Sequence, residues 1–137
     1  MSMLDLTQIQ DEIEDSQEPT VLKAGTEAHL QVVSVRSDVD KNDNEYFMPV
    51  FEVIGEPMAK EFSDFFHVPD REGLTEKQYG RALNKIKNFT KAFGIDISRP
   101  IDYEDDLPGH KGWAILGVRQ DDEYGEQNTI RRYVLPK

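Results

Sequence analysis

Beyond residue 20 only one stretch of the chain has helical periodicity, and β-type alternation lies on both sides of it. The chain is therefore expected to fold as a small sheet with one helix let into it. The helical stretch is TEKQYGRALNKIKNFTKAFG, residues 75–94. Thr75 supplies an N-cap and Gly94 a C-terminal stop. Tyr79, Leu83 or Ala82, Ile86, Phe89 and Phe93 recur at helical spacing and are expected to face the core. Gly80 costs such a helix about 1 kcal/mol relative to Ala. The outer side carries Lys77, Arg81, Lys85, Lys87 and Lys91 against Glu76.

Three β-type runs precede the helix. EAHLQVVSVR (27–36) alternates with one break at Val32-Val33, which predicts a bulge. YFMPVFEVI (46–54) follows the polar turn SDVDKNDNE, and its Pro49 cannot donate to a ladder, which favours an edge or an irregularity there. KEFSDFFHV (60–68) is the third run. Two more follow the helix: KGWAILGVR (111–119), then NTIRRYVL (128–135), joined by the turn QDDEYGEQ. Three strands, a helix and a two-stranded hairpin form the element order of an OB-fold. The expected class is thus mainly β, a five-stranded Greek-key barrel with one helix between strands 3 and 4. A sandwich or an α+β roll shares that order.

The chain has 137 residues, a length that suits one domain, and a net charge of −11. That charge is unevenly placed. Residues 1–20 hold Asp5, Asp11, Glu12, Glu14, Asp15 and Glu18 with no base, and read as an acidic, flexible arm ahead of a domain over 21–137. Leu4, Leu6, Ile9 and Ile13 within the arm fall near helical spacing, enough for a short amphipathic helix. Two loop clusters, Asp102, Glu104, Asp105, Asp106 and Asp121, Asp122, Glu123, Glu126, add eight acids and no base. The rest of the chain holds all 16 bases against 13 acids, so an acidic total leaves room for a polyanion ligand.

Several chemistries drop out. No cysteine is present, which excludes disulfides, thiolate metal sites and a Cys nucleophile. His29, His67 and His110 have no partner at zinc-ligand spacing. Asp38, Asp40, Asn42 and Asn44 alternate as in a calcium loop, but Asp43 and Pro49 stand where that loop needs Gly and Glu, so a hairpin turn is the better reading. No phosphate-cradling or nucleophile-elbow motif occurs, and no catalytic constellation is found; neither an enzyme nor a cofactor is expected. No apolar run approaches the roughly 18 residues that cross a bilayer, and Met1 to Leu6 lacks the pattern of a secretory signal. A soluble, cytoplasmic protein is expected, in the host cell if the chain is viral.

The aromatic pattern points to a ligand. Alternation puts Phe47, Pro49, Phe51 and Val53 inside, leaving Tyr46, Met48 and Val50 outside. In the third run Phe62, Asp64, Phe66 and Val68 face in, although Asp64 spoils the set, and Phe65 and His67 join Tyr46 outside. Ala114, Leu116 and Val118 suit the core, which places Lys111, Trp113 and Arg119 outside; the last strand could present Arg131 and Tyr133. Aromatics interleaved with cations on an outward face suit single-stranded nucleic acid, DNA or RNA, because bases stack and phosphates pair with cations. The candidate stackers are Tyr46, Phe65, Trp113 and Tyr133. The candidate phosphate contacts are Lys41, Lys60, Lys111, Arg119 and Arg131.

From residue 22 to 135 the order of signals resembles the phage-encoded single-stranded DNA-binding proteins with an OB-fold. The resemblance rests on LKAGTEAHLQVVSV, EYFMPVFEVIGE, KEFSDFFHV, ALNKIKNFTKAFGI, LPGHKGWAILGV and QNTIRRYVL, with Gly109 and Asn128 the most family-like details. It implies sequence-tolerant binding of single-stranded DNA during phage replication and recombination. Many such proteins carry an acidic tail at the C-terminus, whereas here the acidic segment is at the other end. The acid-rich turns SDVDKNDNE and QDDEYGEQ should also repel phosphates, so binding is expected to be modest and salt-sensitive, or to run away from those tips. The arm would recruit replication or recombination proteins or compete with DNA. The competing reading is an acidic protein-interaction module or DNA mimic with no nucleic-acid ligand, its apolar strand faces serving a homo-oligomer or another interface.

Overall fold

The computed structural model describes residues 2–136; Met1 and Lys137, the outer limits of the expected arm and domain, lie outside them. The arm contains a 3-10 turn at Thr7–Ile9 running into α1 (Gln10–Glu14), and residues 2–20 are exposed. The body is mainly β. Its strands are β1 (Glu27–Val39), β2 (Glu45–Val53), β3 (Phe62–Ser63), β4 (Phe66–His67), β5 (Lys111–Asp121) and β6 (Gly125–Val134), with α2 (Glu76–Phe93) between β4 and β5. They form one antiparallel sheet in the order β3-β2-β1-β5-β6, with β4 also paired to β2.

The mainly β class is as expected, and the strands form a six-stranded antiparallel sheet that differs from five continuous strands in two respects. The third run is divided in two, and Pro49 is the reason. β3 and β4 keep a single register on β2: Phe62 opposite Phe51 and Ser63 opposite Val50, then Phe66 opposite Phe47 and His67 opposite Tyr46. In that register Asp64 faces Pro49. Asp64 N–H donates to the Pro49 carbonyl at 3.3 Å, but Pro49 has no N–H to return, and the ladder lapses for two residues.

The second difference concerns the seam between the sheet edges. β3 and β6 lie side by side, yet among the described residues no backbone ladder joins them. Side chains and the segment after the arm tie this seam instead. Tyr133 Oη donates to Asp64 Oδ2 at 2.6 Å, and Lys60 Nζ donates to the carbonyls of Tyr124 and Glu126 at 2.9 and 3.0 Å. Thr20 forms a parallel bridge with Ala59. Two residues on, Leu22 is held at both its N–H and its C=O by Asn128 of β6, at 3.0 and 2.9 Å.

Asn128 is 2% exposed, and its Nδ2 also donates to the Gly117 carbonyl at 3.1 Å. A buried amide is stable here because its partners are backbone groups that would otherwise go unpaired. Gly109, the other residue on which the resemblance rests, has φ +95, a region that favours glycine, and its N–H donates to the Val32 carbonyl at 2.8 Å.

Phe51, Phe66, Phe89, Phe93 and Tyr133 form the centre of the core, with Phe66 and Phe89 centroids 4.9 Å apart and Phe89 and Phe93 5.0 Å apart. α2 starts and stops as its sequence predicts. Thr75 and Gln78 form a reciprocal capping box, and Gly94 closes the helix at φ +64. Ala82 is buried and Leu83 exposed, which settles which of the two faces the core. β5 can lie against the end of α2 only because residue 112 is glycine: a Cβ there would come within 2.7 Å of the Ala92 carbonyl and the Phe93 ring. No described helix is long and apolar enough to cross a membrane.

Candidate nucleic-acid interface

The outer face of the sheet is set by a bulge in β1 and by the registers of the strands beside it. The bulge between Val32 and Ser34 keeps His29 and Gln31 on the outside before it and Ser34, Arg36 and Asp38 outside after it. Opposite these, β2 presents Val50, Met48 and Tyr46, and the β3–β4 run presents Ser63, Phe65 and His67.

Tyr46 and Phe65 are brought together as expected. Their rings stack at 4.9 Å with 28° between planes, and His67 meets the Phe65 edge at 4.9 Å and 87°. Phe65 remains 37% exposed. Each ring in such a cluster limits the rotation of its neighbour, so a platform exists before any ligand arrives. His67 Nδ1 is buried and has no hydrogen-bond partner among the described residues.

Trp113 forms a second platform. It lies opposite His29 across the β1–β5 ladder, and the two rings stack at 4.5 Å and 5°. Trp113 remains 46% exposed even though His29 stacks on it. Lys111 is exposed two residues away, opposite Gln31. His29 and Asp38, which pairs with Tyr46, are nine residues apart on β1, a span of at most roughly 30 Å. The two aromatic platforms thus occupy opposite ends of one face.

Tyr133 does not belong to this face. The sequence pattern put it outside with Arg131, but β6 bulges against β5 between Ile130 and Arg132, with Arg131 the extra residue, and the side alternation reverses there. Tyr133 pairs with Ala114, is 8% exposed, and gives its hydroxyl to Asp64. Burial first, then the Asp64 carboxylate, push its pKa well above the ordinary tyrosine value. This pairing also accounts for Asp64, the acid among inward phenylalanines: it further accepts Lys85 Nζ at 2.9 Å. Val118, expected in the core, is exposed because β5 runs on to Asp121 beyond it.

The cations divide likewise. Lys60 is occupied in bracing the β5–β6 hairpin and has little freedom to meet a phosphate. Lys41 is exposed in the β1–β2 turn. Arg119 donates to Gln127 at 3.3 Å and stays exposed near the hairpin tip. Arg131 is exposed at the β6 bulge, with its guanidinium 3.9 Å from where a Cβ on Gly25 would lie.

Sequence reasoning missed Arg36 and Tyr124. Arg36, Val50, Glu61, Ser63, Tyr124 and Gln127 line a groove of about 380 Å³ between the sheet face and the hairpin tip. Tyr124 is 61% exposed at its rim. The aromatic in the otherwise polar turn QDDEYGEQ was the available signal. Asp121 fixes that tip by accepting the N–H groups of Glu123 and Tyr124 at 2.8 and 3.0 Å, bonds that hold its carboxyl below the usual range. Acids in the other turns act in the same way: Asp40 accepts from Asn42 and Asn44, and Asp102 from Glu104 and Asp105. Much of the loop acidity is therefore turn chemistry.

Among the described residues no three His, Asp or Glu side chains gather where they could hold a metal ion. No protein-family model matches the chain, and no curated protein is significantly similar to it.

Proposed function

We propose that this chain is a single-stranded DNA-binding protein of the phage type, that its sheet is an OB-type barrel with one seam tied by side chains, and that DNA lies along the outer face of β1. The observation that carries this reading is the pair of ready-stacked platforms, Tyr46 with Phe65 and Trp113 on His29, at the two ends of one face. Exposed, preorganised aromatics are expensive on a soluble surface unless a flat ligand covers them.

Between the platforms lie Arg36 and Lys111, with Arg119 and Tyr124 at the groove rim. These would neutralise phosphates and clamp the strand edge. A span of at most about 30 Å holds on the order of nine stacked nucleotides at 3.4 Å each, within the roughly 4–16 that one OB-fold covers. The strand order supports the barrel reading: β1 sits centrally, and the sheet edges β3 and β6 meet beside α2. Such a protein would cover DNA exposed in replication or recombination, without chemistry of its own.

The test is a titration with labelled oligo-dT at low and then moderate salt, followed by label anisotropy and by the fluorescence of Trp113, the one tryptophan. Saturable binding that weakens with salt and quenches the indole is expected. If no binding occurs at low salt, the face is a protein-interaction surface and the acidic-module reading takes its place.

A further inference from the structure

Trp113 is more than a flat platform. The registers place His29 beside it on β1 and Val134 beside it on β6. Trp113 and Val134 also line a pocket of about 390 Å³, together with Leu135, Pro136, Ala92 and one charged side chain, Glu27. An apolar wall with a single polar group is the usual make-up of a ligand pocket, and the volume falls at the small end of the roughly 300–1,000 Å³ such pockets span. Nothing in the chain fills it: Trp113 and Leu135 stay 46% and 43% exposed.

The charged groups around the pocket are fixed by the same ladders. Glu27 on β1 and Arg132 on β6 both lie opposite Ile115, one on each side of it. Trp113 is two residues from Ile115 along β5, so it emerges on the same face and is a diagonal neighbour of both. Diagonal neighbours are about 7–8 Å apart, within reach of long side chains. Glu27 and Arg132 are exposed, and neither makes an ion pair among the described residues. An indole, a carboxylate and a guanidinium thus border one apolar pocket, which begins at the platform where the strand path along β1 ends.

We infer that this pocket takes one nucleobase of the bound strand, laid against Trp113, and that Glu27 selects bases carrying an exocyclic amino group. Stacking on an indole accepts any base, because every base has a π-face. The edge of the base is what a carboxylate discriminates. An ionised carboxylate only accepts hydrogen bonds. Cytosine, adenine and guanine offer it an amino N–H, whereas thymine and uracil carry carbonyl oxygens on both sides of their ring N–H and are repelled. Arg132 meets the phosphate next to that base and offsets the repulsion that Glu27 exerts on the strand. The inference rests on the DNA-binding reading and adds a base preference to it.

The experiment titrates the full chain with labelled oligo-dC and oligo-dU of equal length, at neutral pH and low salt, followed by label anisotropy. Both are pyrimidine strands without the thymine methyl, so they differ at the base edge. Oligo-dC is expected to bind about 3- to 10-fold more tightly, the worth of one hydrogen bond to a charged acceptor. Glu27→Ala should bring the ratio of the two affinities to one while tightening both, since it removes a negative charge beside the strand. Glu27 is exposed, and an unchanged Tm checks that the variant keeps the fold. Equal binding of the two strands by the parent chain overturns the inference and leaves the DNA-binding reading standing. A preference for oligo-dC that survives Glu27→Ala also overturns it, because the base edge is then read by another group. Binding of neither strand removes the DNA-binding reading and this inference together.

Discussion

Replacing Asn128 by leucine should cost the fold far more than its position beside a hairpin suggests. The side chain makes three hydrogen bonds to backbone, at 3.0, 2.9 and 3.1 Å, and joins the segment after the arm to β6 and β5. At a net contribution of about 1 kcal/mol each, their loss amounts to about 3 kcal/mol. The outcome depends on what the stranded groups find. Leu22 is half-buried, so water can reach its N–H and C=O, whereas Gly117 is buried and its carbonyl bears the full desolvation penalty. The expected destabilisation is about 2–4 kcal/mol. With an unfolding entropy of about 2.1 cal/mol/K per residue, 137 residues give a fall in Tm of about 7–14 °C. Urea melts followed by Trp113 fluorescence should show a lower midpoint at unchanged slope. Asn128→Asp keeps the shape but turns a charge toward two carbonyls, and should lose at least as much at neutral pH. A loss below about 1 kcal/mol in both variants would refute the reasoning, because it would mean that the segment at Leu22 is held by its apolar contacts alone.

Other expectations follow from single contacts. Tyr133 has a raised pKa in the folded chain, so its contribution to stability is fully present below about pH 10 and is lost as pH rises through the higher folded value. Alkaline urea melts should show that loss, and Tyr133→Phe should remove this component of the pH dependence. Gly112→Ala pushes a methyl into the Ala92 carbonyl and the Phe93 ring and should destabilise by about 1–3 kcal/mol, measured by thermal melting; an unchanged Tm would show that the end of α2 yields freely. Tyr46→Ala, Phe65→Ala and Trp113→Ala should each weaken oligo-dT binding roughly 5- to 150-fold, the equivalent of about 1–3 kcal/mol per stacked base, while Tyr133→Phe leaves it unchanged. Equal effects of all four on affinity would remove the distinction between face and core.

The sequence by itself determined whatever depends on local periodicity and local chemistry. The alternation Phe47, Pro49, Phe51, Val53 fixed the inner face of β2, the Val32-Val33 break located a bulge, and Thr75 and Gly94 fixed the ends of α2. The outward pairing of Tyr46 with Phe65 was equally readable, because Tyr46 alternates along β2 and the single register of β3 and β4 on β2 carries the alternation across the gap that holds Phe65. Tertiary structure decided what depends on registers and on partners distant in sequence. One extra residue at Arg131 reversed the side on which Tyr133 emerges, and no local pattern in NTIRRYVL distinguishes a bulge between two arginines from regular alternation. Pro49 was visibly a weak point in its own strand, but the break appears in the partner, opposite it at Asp64, which only the register can reveal. Lys60 looked like a phosphate contact until the hairpin 64 residues later placed two carbonyls against it. A side chain's periodicity is written within a few residues of it, whereas its hydrogen-bond partners are chosen by how the strands close on one another.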